Sequence, residues 1–326
     1  MKTFGNILGL SISIIALLWL ATKYDFSEML PHLQAADYTG LMVVPVVLVA
    51  NFLLRAARWR LLYSDTRSAS LGSFFSAMMI GNLCNNILPA RGGELVKIYL
   101  LGKTATLPKS RLLASVIVEK SADLIIAISL LGLLLVFYPV PEWARKAGIA
   151  ISMVTLLSVI AIALAATGGM GVDRIAHCLL ALLPASLKTR ITASAKQFRA
   201  GLSGLLSPRR VAQFLCASAF IWCLEILLMK IIAHAFSLDV GPADLLFIML
   251  MILFGTMVPS SPGYIGTFEF FGLSALAAIG ISGGRALSFV VVLHAVLLLG
   301  SSLIGIACMA HQGWSQVTAS LKGRPK

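Results

Sequence analysis

Long apolar blocks alternate along this chain with short polar clusters. Blocks over 5–22, 40–62, 111–138, 147–166, 211–236 and 286–310 are each long enough to cross the roughly 30 Å hydrocarbon layer as a helix, and they predict six spans, numbered here one to six. Two further apolar regions, 72–101 and 244–280, are interrupted midway. The first holds Gly81-Asn-Leu-Cys-Asn-Asn-Ile-Leu-Pro-Ala-Arg-Gly-Gly-Glu94, with three Asn, three Gly, a Pro, an Arg and a Glu, too polar and too broken for a lipid-facing helix. The second holds Gly255-Thr-Met-Val-Pro-Ser-Ser-Pro-Gly-Tyr-Ile-Gly-Thr-Phe-Glu269. Backbone of this kind survives at membrane depth only where protein or a watery cavity surrounds it.

Composition turns that pattern into a class. Of 326 residues 59% are hydrophobic and 12% charged, with a mean hydropathy of +0.93, whereas soluble domains average about 25% charged. The chain reads as an all-α integral membrane protein whose length accommodates two halves of one bundle. Five cysteines (Cys84, Cys178, Cys216, Cys223, Cys308) are scattered through it without metal-ligand or disulfide-framework spacing, and they read as small buried apolar fillers. No metal or cofactor is expected. The apolar start resembles a signal peptide but lacks a small-x-small cleavage site, so it is expected to remain as span one.

The formal net charge of +13 suits nucleic acid or an anionic membrane surface, and its location decides between them. Placing the N-terminus, loop 55–71, region 97–111, loop 167–210 and the C-terminal tail on one side gathers nineteen of the 26 lysines and arginines there. Lys23, Arg145, Lys146 and Arg285 fall opposite, and Arg91, Lys120 and Lys230 fall within candidate membrane segments. The rich side is expected to be the cytoplasm, with both termini, of a bacterial inner membrane. Six spans give this partition only if 72–101 and 244–280 return to the face they leave, so both read as re-entrant helical hairpins, the first dipping in from the cytoplasm and the second from outside. Residues 1–138 and 139–326 then form an inverted repeat of three spans and one hairpin each. Loop 167–210 carries Leu187, Ile191, Phe198, Leu202 and Leu205 at near-helical spacing between basic residues; it reads equally as an interfacial amphipathic helix or as a cytoplasmic linker helix. No nucleic-acid recognition fold fits there.

Chemistry gathers at the breaks. Pro89 and Pro262 each precede a fresh apolar run and read as the restart of a helix, with Gly92, Gly93, Gly263 and Gly266 allowing tight turns or close backbone approach. A half-helix starting at mid-depth aims unpaired amides and a positive dipole end inward, where an anionic headgroup is stabilised, and two such starts can meet near the midplane. Arg91 can offer a planar fork to phosphate. Glu94 and Glu269 read either as ordinary first-turn acids or as partners of Arg91, Lys97 or Lys120 with a coupling role. In span three Glu119 and Asp123 share a helical face with Lys120 beside them, which fits a functional site or an ion pair locking hairpin to span. Glu225 is a candidate for proton coupling; it and Lys230 are five residues apart and so are expected to face different partners. His294 and His234 read as satisfied interior or interfacial residues. Arg55, Arg58 and Arg60, with Trp59, read as snorkelling anchors, although Arg55 and Arg58 share a face that could meet a lipid phosphate.

Taken together, Arg55-x-x-Arg-Trp-x-Leu-Leu62, Asn86-x-x-Pro-x-Arg-Gly-Gly-Glu94, Val118-Glu-Lys-x-x-Asp123 and Ser261-Pro-Gly-x-x-Gly-x-x-Glu269 resemble, in this order and spacing, the lysylphosphatidylglycerol synthase transmembrane-region, or flippase-like domain, family. Lys120 stands where Arg is more common, which keeps the charge, and Tyr264 where a second Gly is common, which narrows the turn's freedom. The resemblance implies a polytopic inner-membrane protein that moves lipids between leaflets, as the membrane half of the multiple peptide resistance factor is thought to do. Relatives are associated with lipid-linked sugars and hopanoid-producing membranes. The chain runs to Lys326, just past span six, and is expected to lack the soluble aminoacyl-transferase domain and to make no lysylphosphatidylglycerol. The expectation is therefore a lipid flippase that is not an enzyme. Asn86, Arg91, Gly92, Gly93, Pro262, Gly263, Arg55 and Arg58 would hold a phosphate-bearing headgroup, and Glu94, Glu119, Lys120, Asp123, Glu225 and Glu269 would serve gating or proton coupling. A membrane enzyme, or a non-transporting subunit partnered with a lipid-synthesis enzyme, is the alternative.

Overall fold

The computed structural model describes residues 2–63, 69–88, 92–105, 107–138, parts of 142–157, 208–258 and 260–313, and among these every regular element is a helix. In chain order they are α1 (Lys2–Lys23), α2 (Met29–Gln34), α3 (Tyr38–Leu41), α4 (Val44–Leu61), α5 (Leu71–Ile87), α6 (Gly93–Thr104), α7 (Lys109–Phe137), α8 (Pro208–Ala235), α9 (Pro242–Gly255), α10 (Thr267–Ala278) and α11 (Gly284–Gln312). Four stretches are long and apolar enough to cross a membrane: Tyr38–Leu61, Lys109–Phe137, Pro208–Ala235 and Gly284–Gln312. Ser11–Lys23 and Pro242–Gly255 are shorter apolar helices. The expected block 147–166 falls mostly outside the described residues, as does loop 167–210. Large side chains such as Ile15, Val46, Val136, Phe220 and Leu303 face outward, which suits a surface solvated by acyl chains.

The two broken regions fold as helical hairpins. In the first, α5 and α6 approach so closely that a Cβ added at Gly93 would overlap the Gly81 carbonyl oxygen, and one added at Gly81 would lie 2.9 Å from Lys97 Cβ. Small residues permit this backbone contact, the usual device for tight packing where lipid is as apolar as the helix surface. The second hairpin is α9 and α10, joined by a 3-10 turn, Pro262–Tyr264. The restart comes later than the sequence suggests: Pro262 opens that turn, and the helix begins only at Thr267. Gly266, at φ +89°, reverses the chain before it, and the Gly266 N–H donates to Glu269 Oε2 at 2.8 Å. This side-chain cap satisfies an amide that would otherwise be orphaned in an apolar setting.

Helix α11 is the spine to which both hairpins attach. Gly305 on α11 meets the Met79 carbonyl of α5 closely, so a Cβ there would stand 2.7 Å from that oxygen. At the tip of α5 the Asn86 amide donates to Leu298 O at 3.3 Å, Ser301 Oγ at 3.0 Å and Ser302 Oγ at 2.9 Å. Helix α10 packs on α11 from the other hairpin, and α4 packs along α8. At one end Tyr138 on α7 hydrogen-bonds Asp244 on α9, and Lys230 Nζ donates to Val240 O at 2.6 Å. Lys230 and Glu225 do take different partners, as their spacing suggests.

Candidate functional site

The interior of the bundle is crossed by ion pairs whose members come from four helices. Arg58, from the basic end of α4, is fully enclosed. Its guanidinium donates to Asp123 Oδ1 at 2.6 Å and Oδ2 at 3.0 Å, to Glu119 Oε1 at 3.4 Å and to Ser218 Oγ on α8 at 2.9 Å. Glu119 and Asp123 reach one guanidinium because they lie four apart on one face of α7. Beside Arg58, Trp59 is also buried and its indole N–H donates to Ser115 Oγ at 2.9 Å. The snorkelling reading therefore does not hold for Arg58 and Trp59. Two carboxylates on a neighbouring helix stabilise the charge inward, and burial removes Arg58 from contact with a lipid headgroup.

Arg55, one turn earlier on α4, is set differently. It pairs with Glu225 on α8, and its Nε donates to Asn51 Oδ1 at 2.9 Å, while Asn51 Nδ2 donates to Ile221 O at 3.1 Å. The Arg55 and Glu225 side chains keep 27% and 30% exposure, so the pair is open on one side. The first hairpin contributes Glu94, in the opening turn of α6, where the dipole favours a carboxylate. Lys97 Nζ lies 2.7 Å from Glu94 and 3.8 Å from Glu119, and Lys120 Nζ lies 3.2 Å from Glu94. These contacts tie hairpin to α7, as the structural reading of Glu119 and Lys120 anticipates. Lys120 remains 46% exposed.

Both hairpins open onto one cavity of about 360 Å³. One part of its wall is ionic, with Arg55, Glu225, Glu94, Lys97, Glu119 and Lys120; another is apolar, with Leu48, Phe52, Met249, Ile252, Phe268 and Leu297. Asn86 from the first tip and Gly263 and Tyr264 from the second complete it. The tips touch: a Cβ at Gly263 would lie 3.6 Å from the Asn86 carbonyl oxygen. Gly263 is at φ +69° and Tyr264 at φ +59°, so Tyr264 adopts the left-handed backbone for which glycine is better suited.

The structure thus brings Arg55, Asn86, Glu94, Glu119, Lys120, Glu225 and Gly263 to one wall. Arg58 and Asp123 stand behind it as a brace. Gly92 and Gly93 serve the start of α6 and its crossing with α5, Pro262 opens the turn, and Glu269 caps α10. Arg91 lies outside the described residues. Sequence reasoning underrated His294. It lines the cavity, stacks on Phe268 at 4.3 Å, and holds Glu269 Oε1 at 2.5 Å through Nδ1 and the Gly263 carbonyl at 2.8 Å through Nε2. A histidine inside a long apolar run was the available signal; its partner, on another helix, was not. Asn51 and Asn82, also on the wall, were missed for the same reason. Among the described residues no cluster of His, Cys, Asp and Glu is suited to hold a metal ion.

Fold and site together define a multi-pass, all-helical membrane protein with an ion-paired cavity between two helical hairpins. The chain belongs to the lysylphosphatidylglycerol synthase transmembrane-region family, whose model matches residues 6–305. It is similar to a UPF0104 membrane protein of Methanothermobacter thermautotrophicus, 22% identical over 334 residues and covering 97% of each chain. It is also similar to Glycosyltransferase AglD of Haloferax volcanii, 23% identical over 345 residues, which span 95% of this chain and 55% of that one. The chain thus corresponds to about half of that second relative's length. No solved structure matches it.

Proposed function

We propose that this protein moves a lipid with a polar, phosphate-bearing headgroup between the leaflets of a bacterial inner membrane. The observation that carries the reading is the divided wall of the cavity: charged pairs on one part and Leu, Ile and Phe side chains on another, the surface an amphiphile requires. Arg55 and Lys120 are the cations left partly exposed there, so they would receive the phosphate, with Asn86 and the turn at Gly263 beside them. Glu225 and Glu94 would hold both cations in place while the cavity is empty, and the phosphate would share the Arg55 and Lys120 N–H donors with them. In this reading the two hairpins are re-entrant and related as an inverted repeat within six spans, with both termini cytoplasmic, and alternating access comes from movement of one hairpin tip against the other. The lipid leaves chemically unchanged.

Purified protein in proteoliposomes carrying a fluorescent phospholipid provides the test. Wild type should make inner-leaflet label accessible to an outside quencher faster than empty liposomes, and Arg55→Gln and Lys120→Gln should each slow it by about tenfold or more. Equal rates for wild type and both variants would refute the assignment. A second reading is favoured by the relative named as a glycosyltransferase: a membrane enzyme or subunit acting on a lipid or glycolipid headgroup. Mass spectrometry that finds a lipid altered by the pure protein would replace the first reading with this one.

A further inference from the structure

Five carboxylates stand at or behind the cavity wall, and four of them, Glu94, Glu119, Asp123 and Glu225, are paired with lysine or arginine. Glu269 is paired instead with His294, the side-chain type that gains and loses a proton near neutral pH. The geometry of the pair fixes how many protons it holds. Nδ1 of His294 is 2.5 Å from a carboxylate oxygen, and Nε2 is 2.8 Å from the Gly263 carbonyl oxygen, which can only accept. Neutral imidazole has a single N–H. Both contacts are hydrogen bonds only when the pair carries one proton more than an ionised Glu269 with a neutral His294. That proton resides on the ring, or on Glu269 with its O–H donating to Nδ1.

We propose that the Glu269–His294 pair is a proton-binding site that latches the tip of the second hairpin to α11, so that loss of the proton frees the tip and opens the cavity between the hairpins. Releasing one proton to cavity water takes the pair from zero net charge to −1. The carboxylate is the stronger acceptor and retains the remaining N–H on Nδ1, which leaves the Nε2 lone pair facing the Gly263 oxygen. Two acceptors at 2.8 Å repel, and the turn they hold contains consecutive left-handed residues, Gly263 and Tyr264, that relax once released. The same turn meets the Asn86 carbonyl, so its release separates the two tips. Lipid movement through the cavity would thereby draw on a proton gradient.

The charges on the ionic part of the cavity wall offset one another. From α4 and α8, Arg55 and Glu225 neutralise one another, and α6 and α7 present Glu94, Lys97, Glu119 and Lys120, two of each sign. Helix α5 faces the cavity with the amides Asn82 and Asn86. Tyr264 lies beside the pair, while Glu28 and His32 pack at the far start of α11, against Gly284. Lys230, on α8, is engaged by the Val240 carbonyl.

The proposal rests on the lipid-transport reading for its purpose, but the latch is measurable without lipid movement. Spin labels at Ile265→Cys, on the exposed tip, and Leu303→Cys, on the outer face of α11, report their separation in the full chain with its five native cysteines replaced by serine. At about pH 5 one distance population is expected, and at about pH 8 a second, longer one. In His294→Gln the distribution should be the same at both pH values. In Glu269→Gln, whose amide can donate to Nδ1 while its oxygen still accepts from the Gly266 N–H, the short population should persist at both. An unchanged distribution between the two pH values in the otherwise unmodified protein, or a pH response that survives His294→Gln, would overturn the latch. If the tip responds to pH while labelled lipid does not move in proteoliposomes, the latch stands and the transport reading fails. If lipid moves and the tip does not respond, the reverse holds.

Discussion

Replacing Arg58 by methionine removes one charge from a fully enclosed position. The guanidinium has no exposed surface, and it donates to Asp123 at 2.6 and 3.0 Å, to Glu119 at 3.4 Å and to Ser218 at 2.9 Å. Methionine fills much of its volume but leaves two carboxylates one turn apart on α7, with Lys97, 3.8 Å from Glu119, still in range. Breaking a buried pair by removing one partner costs about 3–5 kcal/mol, because the charge left behind is neither hydrated nor paired. Asp123 keeps 21% side-chain exposure and so recovers part of its hydration; the lower end, about 3 kcal/mol, is expected, or roughly a 150-fold shift in the folded-to-unfolded ratio. At about 2–4 °C per kcal/mol for large domains, the thermal midpoint should fall by about 6–12 °C. Heating the protein in detergent and measuring the surviving monodisperse peak by fluorescence-detected size exclusion reads this directly. Asp123→Asn in the Arg58→Met background removes the stranded charge and should restore about 2 kcal/mol. The reasoning is refuted if Arg58→Met lies within about 1 kcal/mol of wild type, or if the double variant is no more stable than the single.

Gly93→Ala drives a methyl group into the Gly81 carbonyl and the Asn85 backbone, and it should destabilise the first hairpin by about 1–3 kcal/mol. Gly132→Ala, with nothing within 4 Å of the new methyl, should instead stabilise α7 by about 0.5–1 kcal/mol in the same heating assay. Asn86→Leu cuts the tie from the α5 tip to Leu298, Ser301 and Ser302, so amide hydrogen exchange over 84–88 should quicken about tenfold while that of α8 stays unchanged. Tyr138→Phe removes the hydrogen bond to Asp244 that joins α7 to α9 and should cost about 1 kcal/mol without altering headgroup contacts, read as a lower thermal midpoint with unchanged lipid transport.

Much of the architecture was written in the residues. Blocks 40–62, 111–138, 211–236 and 286–310 correspond to the four long apolar helical stretches within a residue or two at most ends, because a run that must satisfy its backbone inside hydrocarbon has little choice but a helix. Asn, Gly and Pro at 81–94 and 255–269 marked where two helices break, for the opposite reason: such residues weaken a helix and need polar company. The Glu119/Asp123 spacing announced one shared face, and Glu94 announced a first-turn acid. What the sequence could not supply was partnership across helices. Arg58 reads as a surface anchor when only α4 is considered, since its neighbours are basic and aromatic; it becomes the enclosed centre of an ion network only because α7 and α8 bring Asp123, Glu119 and Ser218 to it. His294 reads as an isolated interior histidine until α10 brings Glu269 from 25 residues away. Local chemistry and hydropathy act within a helical turn, so sequence alone determined which segments are helices and where they break. Which charges meet, and that both hairpin tips close on one cavity, follows from packing between helices distant in the chain, and tertiary structure decided it.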